Sequence, residues 1–443
     1  MGRNLPPMLV EGFGMDRLTD PREGDDADAV TDIKGRRAAV GFIFATAVMD
    51  IVAIGLIIPV LPQLIRGFVG GDYAHAADYV GAFGFIFNVM QFFCSPIIGA
   101  LSDRFGRRPV LLTSIFGLGF DYVLMALAPS IGWLFLGRLI SGGTAASFST
   151  ASAYVADITE PKDRAKAFGL IGAAFGVGFT LGPALGGFLG HYDMRLPFWV
   201  AAGLALINGC YGLFVLPESL PQSRRSPFEL AKANPLGSLA LLRSQPQLLG
   251  LAGMLFLYFL AHQALQSTMV LYTSQRYHWD PQAMGFFLMG VGVGNIVVQA
   301  GVVGPFVKRF GEKGALYTGL ACGAIGFFIW ATATTGAQFI VALPIFALMG
   351  LVQPGYQGIM TRRIAPNQQG RLQGANSGVM AIAGIFGPLI FTQVFAWSLH
   401  ATRLTLGVGT CLYMACGLLV VALAMAVFVT RPAVSATLTS HHP

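Results

Sequence analysis

The fold is decided by the stretch Gly99-Ala-Leu-Ser-Asp103-Arg104-Phe-Gly106-Arg107-Arg108, because a similar stretch, Gly304-Pro-Phe-Val-Lys308-Arg309-Phe-Gly311-Glu-Lys313, follows 205 residues later. The same offset relates Gly182-Pro183 to Gly387-Pro388, and Gly169 to Gly374. Three spaced matches at one offset indicate that half of the chain is duplicated. In an apolar chain, a duplicated half is typical of a transporter in which two helical bundles move about a central site.

The composition is that of an integral membrane protein. Hydrophobic residues make up 54% of the chain and charged residues 11%, whereas a soluble domain has about 25% charged residues. A helix needs about 20 residues to cross a hydrocarbon layer of roughly 30 Å. The hydropathy pattern predicts twelve spans, near residues 39–65, 79–101, 110–129, 131–156, 166–190, 197–216, 247–272, 283–307, 315–335, 338–360, 371–398 and 404–430.

We therefore predict an all-α membrane protein with twelve transmembrane helices in two pseudo-symmetric six-helix bundles. The boundaries that we predict are a disordered cytoplasmic tail at 1–36, an N-terminal bundle at 37–217, a cytoplasmic linker at 218–246, a C-terminal bundle at 247–431 and a cytoplasmic tail at 432–443.

The basic residues predict the orientation, since short cytoplasmic loops carry an excess of Lys and Arg. Most of the 28 basic residues lie in the two tails, the even-numbered turns and the central linker, which predicts that both termini are cytoplasmic. This asymmetry accounts for the formal charge of +7, so no nucleic-acid partner is needed. All five cysteines lie in apolar spans, and neither a disulfide nor a metal site is predicted.

Asp50, Asp121 and Arg138 lie well inside predicted spans, where a charge is costly and usually functional. Asp50 lies about eleven residues into the first span, roughly 17 Å deep at ~1.5 Å per residue. It is predicted to exchange a proton or to contact substrate, or else to be a carboxylate permanently bonded to neighbouring helices. Asp121 and Arg138 lie at equal depth on consecutive helices and are expected to pair. Such a pair is either static or opened by substrate or a proton.

Several neutral polar residues also lie in the spans, and their side chains can orient a substrate through hydrogen bonds. His262 is either a structural histidine or a proton carrier. The amides predicted to contact substrate or to line the cytoplasmic mouth are Gln91, Gln263, Asn295 and Gln357.

The turn from Gly99 to Arg108 is predicted to be a latch rather than a substrate site. Helix eleven begins near Arg371, and its positive N-terminal end then lies at the cytoplasmic face. Asp103 placed against that end would hold the halves together when the inner mouth closes. Arg104, Arg107 and Arg108 would pair with nearby acidic groups, and Gly106 permits the tight backbone. The simpler alternative is anchoring by positive charge alone.

These residues resemble the signatures of a known family. The Gly99 to Arg108 turn, Leu136-Gly137-Arg138 and the run Gly178, Gly182, Pro183, Gly186 and Gly187 are similar to motifs of the major facilitator superfamily. More narrowly, the chain resembles the twelve-helix tetracycline/proton antiporters. The matching segments are Asp50 with Gly55-Leu-Ile-Ile-Pro59-Val-Leu-Pro62, Met90-Gln91-Phe92, Asp121-Tyr122, Ala156-Asp157-Ile-Thr159, Tyr277-His278-Trp279, and Gln369-Gly370 with Leu372-Gln373-Gly374.

The resemblance implies roles for the matching residues. It implies that Asp121 and Arg138 are among the residues that take part in function. It also associates the glycine run with export against proton entry. From the residues themselves, the run predicts only close packing and a kink at Pro183. Where that family has a histidine in helix eight and an aspartate in helix nine, this chain has Asn295 and Gly323, which cannot titrate. Either the N-terminal half handles the proton, with His262 as a further candidate, or the substrate differs, or both.

We interpret the sequence as a proton-coupled antiporter that exports an amphipathic organic compound by alternating access, with a tetracycline-like drug as the first candidate. The alternatives are a proton-coupled importer of a sugar or organic acid, and a non-transporting membrane sensor. The expected partners are a small molecule, protons and the lipid bilayer. We expect a monomer in the bacterial inner membrane, with no cofactor and no enzymatic activity. If tetracycline is carried, the family precedent is a magnesium chelate.

Overall fold

Helices account for almost all of the structure. A computed structural model describes residues 44–144, 147–159, 163–226, 241–242, 246–365, 368–400 and 407–431. The tails predicted at 1–36 and 432–443 lie outside the described residues, as does most of the linker predicted at 218–246.

Within the described ranges, each half has six membrane-crossing helical segments. In the first half these are α1 (Phe44–Phe68, with a turn at 58–60), α2 (Tyr73–Phe105), α3 (Arg107–Leu127), α4 (Ile131–Thr144 and Ser147–Ile158), α5 (Arg164–Tyr192) and α6 (Leu196–Val215). In the second half they are α7 (Pro246–Ser267, continued by Met269–Tyr277), α8 and α9 (together Pro281–Thr332), α10 (Gly336–Thr361), α11 (Gln369–His400) and α12 (Thr410–Val429).

The number of crossings agrees with the predicted twelve. Ten helical stretches of the described chain are long and apolar enough to span a membrane. One of these, Pro281–Thr332, has 52 residues. At ~1.5 Å per residue it is about 78 Å long, enough for two crossings. It is interrupted at Gly311, where φ is 71° and ψ is 175°, so α8 ends and α9 begins there. The two segments of α4 have 14 and 12 residues, so neither is among the ten.

The backbone repeats where the sequence repeats. Gly106 and Gly311 both have positive φ, 107° and 71°, a conformation that glycine adopts at little cost. Pro183 and Pro388 both lie inside long helices, α5 and α11. The two halves therefore share backbone features at the offset of the sequence matches, and the predicted duplication is confirmed.

Hydropathy located the helices better than it located their ends. The second span was predicted at 79–101, but α2 extends over Tyr73–Phe105. Asp72 begins α2 by accepting hydrogen bonds from the backbone N–H groups of Ala74 and His75, at 2.7 and 3.0 Å. The first turn of α2 is helical but polar, so a search for apolar stretches does not include it in the span.

Two pairs of helices join the halves most extensively: α5 with α8, and α2 with α11. The offset of 205 residues relates one pair to the other. Large apolar side chains are exposed on the outside of the bundles, among them Phe93, Phe120 and Phe214. Exposed apolar surface of this extent is expected to face lipid.

Polar contacts between the halves gather at one end, which we call the outer end because the basic residues predict that it is extracellular. The Arg66 Nη1 atom donates to Ser274 Oγ at 3.3 Å, and Gln393 Nε2 donates to Asp78 Oδ1 at 2.8 Å. At the opposite end, the recorded partners of the Gly99 to Arg108 turn belong to the N-terminal half and the start of the linker.

Candidate functional site

Asp50 belongs to a hydrogen-bonded chain that joins α1 to α6. The Thr46 hydroxyl donates to Asn208 Oδ1 at 3.0 Å, and Asn208 Nδ2 donates to Asp50 Oδ1 at 3.2 Å. Thr46 and Asn208 are buried, whereas Asp50 is half-buried. The buried Asn208 amide thus binds one oxygen atom of the Asp50 carboxyl group, while Asp50 keeps some accessible surface.

Asp121 and Arg138 lie at the same depth and form a loose ion pair. The Arg138 Nη2 atom is 3.8 Å from Asp121 Oδ2, and it donates to Met125 Sδ at 3.2 Å. The Asp121 side chain is fully buried, yet neither of its oxygen atoms has a hydrogen-bond partner among the described residues. Gly137 makes room for this carboxyl group, since a Cβ there would lie 2.7 Å from Asp121 Oδ1. A pair without hydrogen bonds can open at lower cost than a fully bonded one.

The buried Tyr122 connects these two sites. Its hydroxyl group is close enough to Asp50, Asp121 and Arg138 to interact electrostatically with all three. The ionisable residues predicted in the N-terminal half, on α1, α3 and α4, thus all lie within electrostatic range of one buried tyrosine.

The C-terminal half contributes polar residues of a different character. The ring of His262 stacks on that of Tyr258, with centroids 6.4 Å apart, and its Nδ1 atom has no hydrogen-bond partner among the described residues. Gln263 packs where α2, α7 and α11 meet. A Cβ built on Gly384 would lie 3.6 Å from Gln263 Nε2 and 2.8 Å from Asn88 Oδ1. Gln91, one turn after Asn88 on α2, is half-buried.

Asn295 lies beside α10, since a Cβ built on Gly350 would be 3.2 Å from Asn295 Oδ1. On α8 it follows Met284, Leu288 and Val291 at intervals of three or four residues, so these side chains share one side of the helix. Another side of α8 carries exposed apolar residues, as a lipid-facing surface does: Phe286, Val293 and Val297. Asn295 is exposed as well. A π-helical turn, Val298–Val302, begins three residues later, and such turns are frequent at functional sites.

Gly323 and Gln357 lie away from the N-terminal cluster. A Cβ on Gly323 would lie 2.6 Å from Met349 Sδ and 3.0 Å from Leu419 Cδ1, so this position is part of the packing between α9, α10 and α12. An aspartate could not fit there without displacing those side chains. The Gln357 Nε2 atom donates to Gln373 Oε1 at 3.2 Å, which joins the inner ends of α10 and α11.

The glycine run packs α5 against two helices. Gly178, Gly182 and Gly186 lie against Ile51, Gly55 and Leu56 of α1. Gly187, on another side of α5, lies against Gly285 of α8, where a Cβ would be 2.8 Å from the Gly285 Cα. The run thus brings α5 close both to the helix that carries Asp50 and to the opposite half.

The Gly99 to Arg108 turn is bonded within its own half in this conformation. Arg107 Nη1 lies 2.5 Å from Asp103 Oδ1, and Arg107 Nε lies 3.1 Å from Asp157 Oδ2. Glu218, at the start of the linker, accepts a hydrogen bond from the Arg107 backbone N–H at 2.8 Å. Asp103 is therefore paired with Arg107 and not with the end of α11. A latch between the halves would have to form in another conformation.

The carboxyl groups of Asp50 and Asp121 can each hold and release a proton within the N-terminal half. Among the described residues no group of three or more His, Cys, Asp or Glu side chains could hold a metal ion. Sequence reasoning missed Asn208, Asn88 and Glu218. Asn208 could have been found, because it is the only amide or charged side chain in the apolar span Leu196–Val215. The contacts of Asn88 and Glu218 depend on distant parts of the chain.

The model of the Major Facilitator Superfamily matches residues 43–388. The chain is 39% identical over 375 residues to a class C tetracycline resistance protein of Escherichia coli, covering 84% of this chain and 94% of that protein. It is 36% identical over 392 residues to a class D tetracycline resistance protein of Salmonella ordonez, covering 87% and 95%.

Among solved structures, the human organic anion transporter MFSD10 (TETRAN) aligns with a TM-score of 0.65 and 25% identity, covering 88% of this chain and 99% of that one. The family match, the relatives and the duplicated six-helix halves agree. The chain belongs to the Major Facilitator Superfamily, as the resemblance of its Gly99 to Arg108 turn and its glycine run implies.

Proposed function

We propose that this chain exports an amphipathic organic compound from the cytoplasm in exchange for protons, with tetracycline as the first compound to test. Two relatives that cover most of the chain are named tetracycline resistance proteins, which supports the choice of compound. The proposed activity is transport without chemical conversion of the substrate.

The observation that carries the proton coupling is the distribution of ionisable side chains. Asp50, Asp121 and Arg138 cluster around Tyr122 in the N-terminal half. Asn295 in the C-terminal half cannot titrate, and Gly323 has no side chain to do so. We therefore assign the proton to the N-terminal half, and the amides Gln91, Gln263 and Asn295 to contacts with substrate. His262, whose Nδ1 is unbonded among the described residues, is the remaining candidate in the second half.

The proposed cycle uses the two ends of the bundle in turn. When the outer end is open, Asp50, or Asp121 released from Arg138, takes up a proton. When the outer end closes, the proton leaves toward the cytoplasm, and substrate binds the deprotonated state. One proton that moves inward through ~100 mV supplies about 2.3 kcal/mol. Since about 1.4 kcal/mol corresponds to a factor of ten, this sustains a substrate gradient of more than one decade.

We place the protein in the bacterial inner membrane with both termini cytoplasmic, because the basic residues favour that orientation. We propose that the monomer is the functional unit, since one chain supplies both halves. The Gly99 to Arg108 turn would act as the inner latch when the inner mouth closes, with Asp103 transferred from Arg107 to the end of α11.

The test is drug resistance and proton release in a pump-deficient bacterium that expresses wild type, Asp50→Asn or Asp163→Asn. Asp163 is exposed, and its side chain does not cap α5, so it is a matched acidic control. We expect resistance and tetracycline-triggered proton release with wild type and Asp163→Asn, and neither with Asp50→Asn. If wild type gives neither, export is the wrong activity, and uptake of sugars and organic acids would be measured next.

A further inference from the structure

We infer that Asn208 is a positioning residue that orients the Asp50 carboxyl group and sets the pH at which it exchanges its proton. The inference rests on the proposed proton antiport. It starts from the hydrogen-bonded chain Thr46–Asn208–Asp50, in which only Asp50 has accessible surface.

The order of the three hydrogen-bonded residues fixes the orientation of the Asn208 side-chain amide. The Thr46 hydroxyl donates to Asn208 Oδ1, so the NH₂ group of the same amide points to Asp50. An amide NH₂ group can only donate a hydrogen bond. A bond donated to a carboxylate is charge-assisted and stronger than one donated to a neutral acid. The bond from Asn208 therefore strengthens when the proton leaves Asp50 and weakens when a proton arrives.

The donor and the acceptor of this hydrogen bond lie on helices that pack against different neighbours. Asn208 lies on α6, which packs on α3, and a Cβ on the neighbouring Gly209 would lie 2.9 Å from the Phe116 ring. Asp50 lies on α1, which packs on α5 where Gly182 meets Gly55. Since α5 also contacts α8 of the other half, the helix that carries Asp50 packs on a helix of the interface between the halves.

The other groups around Asp50 do not replace Asn208. On α3 and α4, the buried Tyr122 lies within electrostatic range of Asp50, and also of Asp121 and Arg138. From α5, the residues against α1 in this region are Ala174, Phe175 and the glycines of the run, none of which has a titratable side chain. The recorded hydrogen bond to the Asp50 carboxyl group comes from Asn208 alone among the described residues. Its removal should therefore change proton exchange directly.

The experiment measures tetracycline-triggered proton exchange in inverted membrane vesicles from pH 5 to pH 9 for wild type, Asn208→Leu, Thr46→Val and Asn376→Leu. Leucine has the branching of asparagine, although it is larger, and it donates no hydrogen bond. Thr46→Val keeps the amide but removes the bond that orients it. Asn376 is a matched control, because it is a buried asparagine of the C-terminal half whose side-chain atoms have no hydrogen-bond partner among the described residues.

We expect Asn208→Leu to shift the pH of half-maximal exchange upward by about one unit, because the carboxylate loses its donor. Thr46→Val should shift it in the same direction by less, and Asn376→Leu should not shift it. If Asn208→Leu does not fold, Thr46→Val decides the question. An unchanged profile in both variants, with active wild type, overturns the role of Asn208 and leaves the proposed antiport intact. If wild-type vesicles show no exchange at any pH, the antiport and this inference are both wrong.

Discussion

The Nδ1 atom of His191 lies 2.8 Å from Oδ2 of Asp280, and this contact ties the end of α5 to the start of α8 across the two halves. Asp280 also caps α8, because its Oδ1 atom accepts a hydrogen bond from the Ala283 backbone N–H at 2.8 Å. Both side chains are about half exposed. The pair thus lies at the outer end, where proton uptake is proposed to begin.

Neutralising Asp280 should favour opening of the outer end. Asp280→Asn keeps a good helix cap but removes the charge that attracts a protonated His191. An exposed ion pair contributes about 0.2–1 kcal/mol, so the open population should increase by roughly 1.5- to 5-fold. The distance between spin labels on the outer ends of α5 and α8 measures this population. An open population in Asp280→Asn equal to that of wild type would assign the closure to other groups.

The N-terminus of α2 should make stability depend on pH through Asp72. The hydrogen bond from the His75 backbone N–H, and then that from Ala74, hold the pKa of Asp72 below its ordinary value. A carboxyl group whose pKa is lower in the folded state stabilises the fold above its ordinary pKa, and this contribution is lost as the pH falls through the lowered value. Asp72→Ala should therefore lower the Tm at pH 7 and reduce the loss of Tm between pH 5 and pH 3. Thermal unfolding of purified protein measures both effects, and Asp72→Asn, which still caps the helix, is the control. Equal Tm values for Asp72→Ala and Asp72→Asn at pH 7 would contradict the importance of the cap.

The large features of this molecule were predictable because they depend on local chemistry. A membrane sets the length of each apolar span, and the positive φ of Gly106 and Gly311 belongs to a turn that the sequence repeats. Asp121 and Arg138 could be paired because a short connection places both at the same distance from it.

Lateral neighbours were harder to predict, because hydropathy carries no information about which helices touch. The contact of Asn208 with Asp50 requires α6 to lie beside α1, and no pattern within either span indicates that. The contact of Glu218 with the backbone of Arg107 joins the linker to a distant turn. Asp103 could be assigned to a latch, but its present partner depends on the conformation of the two halves.

The contact between α1 and α5 should not tolerate a larger residue at Gly182. A Cβ there would lie 2.7 Å from the Gly55 Cα and 2.9 Å from the Val52 backbone oxygen. Backbone atoms cannot relieve such a clash by a change of rotamer, as a side chain can. Gly182→Ala should lower the free energy of unfolding by about 1–3 kcal/mol, the usual cost of overpacking. Gly172→Ala is the matched control on the same helix, because no atom lies within 4 Å of a Cβ built there. Thermal unfolding in detergent compares the two, and equal Tm values would show that α1 and α5 separate without cost.

The Asp121 and Arg138 pair should behave differently when each partner is removed. Asp121→Asn leaves Arg138 without its anion, but the Arg138 side chain is 15% exposed and keeps its contacts with Met125 and the Phe87 ring, so the Tm should fall less than in Arg138→Gln. Arg138→Gln leaves the fully buried Asp121 carboxyl group without its cation, and loss of one partner from a buried pair costs about 3–5 kcal/mol. The double variant should therefore be more stable than Arg138→Gln alone. If the pair opens during transport, Asp121→Asn should also lose at least about tenfold in tetracycline-triggered proton exchange although it remains folded. If Asp121→Asn exchanges protons as wild type does, the pair is a static structural contact, and Asp50 must carry the coupling without Asp121.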